Sequence, residues 1–256
     1  MKSAQGDEIR AGVLQGAGIA ALVVALAAPI VWWQRATWSP PSAAPATGLA
    51  VAPTALRQVD FGFVVPPTDV RQLAGWAVAS GDHAQSAFAV IDKLRTHLYV
   101  FDAQGRLRGE TPVLLGYAPG DDSVPGIGQR PIEQVHPSER TTPAGRFDVA
   151  SGRNLRQEDV IWIDYQAAVS MHRVRATDPR ERRLERLATS TTSDNRISYG
   201  CINVPATFFD AVVWPTLGGQ RAVVYVLPEV KTLHEVFPQA AAWGVSQAPG
   251  AKTPLV

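Results

Sequence analysis

The chain has 256 residues, enough for one large domain or two small ones and for a sizeable buried core. Its composition is that of an ordinary globular protein, and a net charge of +1 gives no electrostatic footing for nucleic acid as a partner. It contains a single cysteine, which rules out an intramolecular disulfide.

Residues 11–33 form an uncharged, largely apolar run closed by Trp32 and Trp33. About 20 such residues span a bilayer, and aromatic side chains favour its interface. Lys2 and Arg10 precede the run and Arg35 follows it, which weakly favours a cytoplasmic N-terminus. Ala25-Leu26-Ala27 fits a signal-peptide cleavage site, so removal is the competing expectation. The run exceeds a usual signal core and continues past that site, which favours an uncleaved single-pass anchor. A buried helix of a soluble core is disfavoured because the segment has no polar face. Residues 1–36 therefore read as a short N-terminal stub and a transmembrane anchor, or a signal peptide, with the rest exported. Residues 37–66 read as a linker, opening with the Pro- and Ala-rich stretch Trp38-Ser39-Pro40-Pro41-Ser42-Ala43-Ala44-Pro45.

A folded domain is expected over residues 67–230, with residues 231–256 as a tail. Thr68–Ser80 reads as a helix: Thr68 can cap it, Val70, Leu73, Ala74 and Ala77 share a face, and Gly81 stops it. Short apolar runs at Ala87–Ile91, His97–Phe101, Thr111–Gly116, Gly145–Ala150, Val160–Asp164, Ala168–His172 and Arg221–Leu227 read as strands. Pro205–Val213 reads as a helix with proline near its first turn. Many short strands with one or two helices point to a mainly β domain, a sandwich or a partly open barrel. Two long loops, Tyr117–Thr142 and Arg173–Arg196, interrupt it. Loops of that length tend to be functional or disordered.

The cysteine sits in Ile197-Ser198-Tyr199-Gly200-Cys201-Ile202-Asn203-Val204. Glycine tolerates backbone angles that can present a thiol on a turn. The plain alternative is a buried cysteine serving as a small hydrophobe. A thiol nucleophile needs a base, because its ordinary pKa is about 8.5. Five histidines are available: His83, His97, His136, His172 and His234. His172 ends the apolar run Ala168–Met171 and would stand at a strand end facing a loop mouth. The residue pattern alone does not rank the five strongly.

His172, a loop, and then Ser198-Tyr199-Gly200-Cys201-Ile202-Asn203 together resemble the signature of the L,D-transpeptidase catalytic-domain family. Ala89-Val90-Ile91-Asp92-Lys93 with Leu98-Tyr99-Val100-Phe101 is similar to that family's opening hairpin. Thr142-Pro143-Ala144-Gly145-Arg146-Phe147 is similar to its Thr-Pro-x-Gly-x-Phe segment, and Val223-Val224-Tyr225-Val226 to its closing strand. The resemblance spans roughly residues 86–228.

It implies a β-rich L,D-transpeptidase-like fold with Cys201 as nucleophile and His172 as general base and acid. The expected partner is the peptidoglycan stem peptide, cleaved between diaminopimelate and D-Ala through a thioester. A second stem, a lipoprotein lysine or water would accept the acyl group. No metal or organic cofactor is implied. The expected place is the periplasmic side of a bacterial inner membrane. The turn Tyr199-Gly200-Cys201, with Ser198 and Asn203, is expected to form the oxyanion site and pocket wall. A third group must fix the imidazole tautomer, and the sequence does not name it.

Three features depart from the family pattern. Tyr199 stands where histidine is usual, and it titrates near ~10, which makes it a poor base at neutral pH. Arg173 follows the strand-end histidine in place of glycine or serine. The gap from His172 to Cys201 is longer than usual and holds a charged, amphipathic helical segment over 178–187, with Leu184 and Leu187 on one side. That segment reads either as a solvated face or as a cover over the substrate. Within the whole loop Arg173–Arg196, Arg173 and Arg175 are the candidates to grip a substrate carboxylate bidentately. Hydrolysis in place of transfer, giving an L,D-carboxypeptidase, and a peptidoglycan-binding relative with impaired chemistry are the alternative functions. A papain-like protease is disfavoured, because there the cysteine precedes the histidine.

Overall fold

A computed structural model describes residues 58–246 of the chain. The apolar run at 11–33, Ala25-Leu26-Ala27, the linker as far as residue 57 and the tail from residue 247 lie outside the described residues. Among the described residues no helix is long and apolar enough to cross a membrane.

Helix α1, Thr68–Ser80, has the expected bounds and ends on Gly81 at φ 75°, the left-handed conformation that favours glycine. Thr68 is not its cap. Pro67 precedes the helix, and the Thr68 hydroxyl accepts from Arg71 inside the first turn. Strands β1 (Ala87–Asp92) and β2 (His97–Phe101) follow. Next come β3 (Leu107–Pro112) and the two-residue β4 (Leu115–Gly116), into which the expected strand Thr111–Gly116 divides. Strands β5 (Gly145–Arg153), β6 (Asp159–Asp164) and β7 (Val169–Arg173) lead into the second long loop. That loop carries helix α2, Arg183–Ala188. Strands β8 (Arg196–Ser198) and β9 (Ile202–Val204) flank the cysteine. A helical run of α3 (Ala206–Phe208), a π-turn (Phe209–Val213) and α4 (Trp214–Leu217) precedes β10 (Ala222–Val226). Helices α5 (Leu233–Val236) and α6 (Pro238–Ser246) close the described chain. There are thus more helices than the one or two expected, because several short segments cover the two faces of the sheet.

The sheet is mixed and eight-stranded, in the order β3-β2-β1-β10-β5-β6-β7-β9. Within it β1–β10 and β7–β9 pair in parallel, and β4 and β8 form a separate parallel pair. The chain leaving β3 returns to the far edge, where Leu114 and Asn203 exchange backbone hydrogen bonds of 2.9 and 2.8 Å. The two edges so meet in a nearly closed barrel, which leaves few strand groups unpaired.

Successive strand residues point to opposite faces, and both faces of β1 are buried. Ala87, Ala89 and Ile91 look inward with Val224, Val226, Ile161 and Met171, and Phe209, Val213 and Leu217 fill that side. Phe88 and Val90 look outward with Tyr99, Phe101, Val223 and Tyr225, beneath Leu73 and Ala74 of α1 and Ala240 of α6. Residues read as linker and tail belong to this second layer. Phe61 meets Phe101 edge-on at 5.5 Å, and Leu233, Val236, Phe237 and Trp243 pack on the same cluster. Phe237 is buried and the others are partly buried; full burial of a side chain of this size contributes about 1.5–3 kcal/mol, so even partial burial favours docking of these short segments.

Candidate active site

Parallel pairing of β7 with β9 sets His172 directly beside Asn203. Cys201 stands one step before β9, on the bend that joins it to β8. His172, Cys201, Ser198, Tyr199 and Asn203 thereby line one cavity of about 340 Å³ with Arg175. The other four histidines lie elsewhere. His83 is buried, with its ring on the carbonyls of Ala77 and Ala103. His97 pairs with Glu110. His136, just before a one-turn helix, and His234, on α5, are exposed.

The cysteine turn is held by two hydroxyl groups. Ser198 Oγ donates to Cys201 O at 2.6 Å and accepts from Gly200 N at 3.1 Å. Thr142 Oγ1 donates to Gly200 O at 2.8 Å and accepts from Gly116 N at 2.9 Å. Gly200 has φ 124°, and a Cβ there would lie 2.6 Å from Thr141 O, so both the angle and the close approach demand glycine. Of the three turn amides expected to face an oxyanion, Ser198 occupies that of Gly200. Tyr199 and Cys201 are left as the turn's donors.

Beneath the turn lies a buried ionic cluster. Lys93 is fully buried and donates to Asp121 at 2.6 Å, to Gly120 O at 2.5 Å and to Thr142 O at 2.9 Å. Arg196, which opens β8, pairs with Glu229 and donates to Lys93 O at 2.8 Å. Asp121 also accepts from the amides of Glu229, Val230 and Lys231. Burial opposes its ionisation, but those amides and Lys93 outweigh it and pull the carboxyl down to about 2. A buried charge is tolerated when it is paired and hydrogen-bonded throughout, as here. The cluster ties the first hairpin, the loop 117–142 and the strand entering the cysteine turn into one rigid support.

His172 Nδ1 lies 2.8 Å from Arg173 O. A carbonyl only accepts, so Nδ1 carries the proton of the neutral ring and Nε2 keeps its lone pair. The orienting third group is therefore a backbone carbonyl, invisible to a search of side chains. Burial drives the ring pKa below its ordinary value; Arg175 and Arg183 add to the fall, while the Arg173 carbonyl and Glu158 oppose it. Nε2 faces Asn203 Nδ2 at 3.4 Å. The thiol is directed elsewhere: Sγ lies 3.6 Å from Ala168 O and 3.8 Å from Ser170 Oγ. Ala168 holds φ 56°, a strained angle for a residue with a side chain, on the turn between β6 and β7. The loop 117–142 packs against that turn, and a Cβ at Gly128 would lie 2.2 Å from Gln166 O.

The structure separates the arginines. Arg173 does not line the cavity; it pairs with Asp210 at 2.6 Å and covers the Phe209 ring at 4.6 Å. Arg175 does line it, paired with Glu158, and its Nε is buried with no hydrogen-bond partner among the described residues. Arg156 and Arg183 join it there, facing Asp178 and Glu181. The loop from β7 to β8 supplies Arg175, Thr177, Asp178, Glu181 and Arg183 to the wall. It therefore forms one side of the cavity, while Leu184 of α2 stays exposed. Across Tyr199, Asp178 and Glu181, which border both spaces, a second cleft of about 1070 Å³ opens over Leu94, Tyr117 and Ile197. The Arg140 guanidinium stacks 3.8 Å over the Tyr199 ring between them.

Sequence reasoning missed Thr142, Ser170 and Arg183. Ser170 was within reach of the two-residue strand period, since it shares a face with His172. Thr142 stood in a segment noted only for its resemblance, and Arg183 carries no local signal.

No protein-family model matches the chain, and no curated protein matches it. Among solved structures it is similar to the catalytic domain of an Enterococcus faecium L,D-transpeptidase, at 17% identity over 56% of this chain and 98% of that one, with a TM-score of 0.33. It is also similar to an L,D-transpeptidase from Xylanimonas cellulosilytica, at 15% identity over 56% of this chain and 60% of that one, with a TM-score of 0.36. A third is the helical cell shape determining protein Pgp2 from Campylobacter jejuni, at 13% identity over 57% of this chain, with a TM-score of 0.37. The match covers 49% of the Campylobacter chain, about half its length.

Proposed function

We propose that this protein is a cysteine L,D-transpeptidase acting on peptidoglycan stem peptides, held on the periplasmic face of the inner membrane by residues 11–33. The observation that carries the reading is the meeting of the chain's one cysteine and a tautomer-fixed, strand-end histidine in a single cavity. The Ser198–Asn203 motif and the apolar run support its substrate and its location.

The proposed chemistry runs through the thiol and the imidazole. The thiol leaves Ala168 O by rotation about Cα–Cβ and gives its proton to His172 Nε2. Such hydrogen bonds are often unformed before substrate binds. Sγ then attacks the carbonyl carbon of diaminopimelate. The oxyanion develops toward the Tyr199 and Cys201 amides. The imidazolium returns the proton to the departing D-Ala amine, and a thioester remains on Cys201. An acceptor amine approaching through the cleft beyond Tyr199 loses a proton to His172, displaces the thiolate and forms the new amide. Arg175 is placed to hold a substrate carboxylate. The reaction requires no metal or organic cofactor.

The test is mass spectrometry of tetrapeptide stems incubated with the protein. D-Ala release, an acyl adduct on Cys201 and a cross-linked product are expected. Release without cross-linking would mark an L,D-carboxypeptidase. Cys201→Ala should abolish turnover, and His172→Gln should lower it by roughly 10²–10⁴. The same change at His136 or His234 should leave it unaltered. No release by the wild type, or full release by Cys201→Ala, would overturn the reading.

A further inference from the structure

Arg183 opens helix α2 in the loop between His172 and Cys201, and it reaches back across the cavity. Its Nη1 donates to Asn203 Oδ1, while its Nε donates to Glu181 Oε2 at 2.6 Å. The side chain is 15% exposed. Asn203 in turn lies with Nδ2 3.4 Å from His172 Nε2 and 3.4 Å from Cys201 O. An amide has two faces, one donor and one acceptor. A guanidinium only donates, so it selects the orientation in which Asn203 shows it oxygen. The other face, a donor, must then point at the imidazole.

We propose that Arg183 is a positioning residue for the histidine–cysteine pair: by gripping Asn203 Oδ1 it keeps the amide nitrogen, and not the oxygen, against His172 Nε2. The arrangement suits a neutral ring whose lone pair accepts. It disfavours an imidazolium at rest, since Nε2–H would face another donor. The proton taken from Cys201 therefore finds no partner at Asn203 and is kept available for the leaving amine. The loop insertion gains a defined part in the site, reached by none of its exposed arginines.

The effect on His172 is readable. Around the ring stand Arg175 and Glu158, Arg183 and Glu181, Arg156 and Asp178 along the cavity, and Cys201 itself. Loss of Arg183 removes a nearby positive charge and frees the amide to turn its oxygen to Nε2–H. Both changes favour the imidazolium, so the His172 pKa should rise.

The catalytic meaning rests on the transpeptidase reading, but the measurement does not. His172 is titrated by NMR of the imidazole Cε1–H in the full-length protein in detergent, assigned by its loss in His172→Gln. Arg183→Met is expected to raise the His172 pKa by about half a unit to one unit. Arg183→Lys, which keeps a donor and a charge, should restore most of it. In an Asn203→Ala background the Arg183→Met shift should fall to half or less, because the intermediary is gone. Arg183→Gln is the second variant should Arg183→Met not fold. An unmoved titration in folded Arg183→Met or Arg183→Gln would overturn the proposal. So would a shift undiminished in Asn203→Ala, which would mean that Arg183 acts through charge alone. An inactive wild type with the expected titration shifts would defeat the transpeptidase reading and leave the positioning role standing.

Discussion

Asp121→Asn removes one charge from the buried cluster under the cysteine turn while keeping the side chain's shape. In the wild type the carboxylate receives Lys93 Nζ at 2.6 Å and the amides of Glu229, Val230 and Lys231 at 2.9, 2.9 and 2.6 Å. Breaking a buried ion pair by removing one partner costs about 3–5 kcal/mol. Glu229 Oε1 stays 3.4 Å from Lys93 as a second counter-charge, which argues for the lower end, about 3 kcal/mol. For a unit the size of residues 55–256 each kcal/mol moves Tm by about 2–4 °C, so a fall of roughly 6–12 °C is expected. The gap should depend on pH in one direction. Native-state hydrogen bonds hold the Asp121 carboxyl at about 2, below its unfolded value of about 3.9. Its ionised form thus adds stability that is fully present above about pH 4 and is lost as pH falls through about 2. Asparagine has no such contribution. Chemical denaturation of wild type and variant at pH 7, 5, 4, 3 and 2.5 should show a constant gap that narrows below pH 4. A gap under about 1 kcal/mol at pH 7, or one that stays constant to pH 2.5, would refute the account of the cluster.

Because burial holds the His172 pKa below about 6.5, the acidic limb of the kcat/KM profile should fall below that pH. A limb at or above 6.5 would contradict the neutral, buried ring. Arg175→Ala should weaken kcat/KM by about 1.5–3 kcal/mol on stems with a free diaminopimelate carboxylate, and by less on amidated stems. Arg173→Ala should leave kinetics unchanged and lower stability by about 1 kcal/mol, through the lost Asp210 pair and the cover over Phe209. Steady-state kinetics and thermal melts of the two variants check both outcomes.

Much of the architecture was legible because it is written in local patterns. Thr68–Ser80 carries a helical stripe and a glycine stop, and its bounds agree with the structure. The β1–β2 hairpin shows in two apolar runs around a short polar turn. Cys201 after Gly200, and His172 at the end of an apolar run, are visible as residues before any fold is known. The two three-residue strands beside the cysteine are too short to show a period, and they exist through pairing with β4 and β7.

What only the tertiary structure decided are contacts between distant positions. Asp92-Lys93 is a charged pair between two apolar runs, yet Lys93 is held inside by Asp121, 28 residues on, and by Thr142, 49 residues on. Arg173 reads as a candidate grip for a substrate carboxylate, and Arg183 as one more charge in the same loop. In the fold the first pairs with Asp210 of the π-turn, and the second donates to Asn203 of β9. The carbonyl that fixes His172 belongs to every residue and marks none. Sequence determines spacing and propensity, which are local. Which charge is buried, and which amide meets the imidazole, depends on loop closure over tens of residues, where no short-range pattern records the partner.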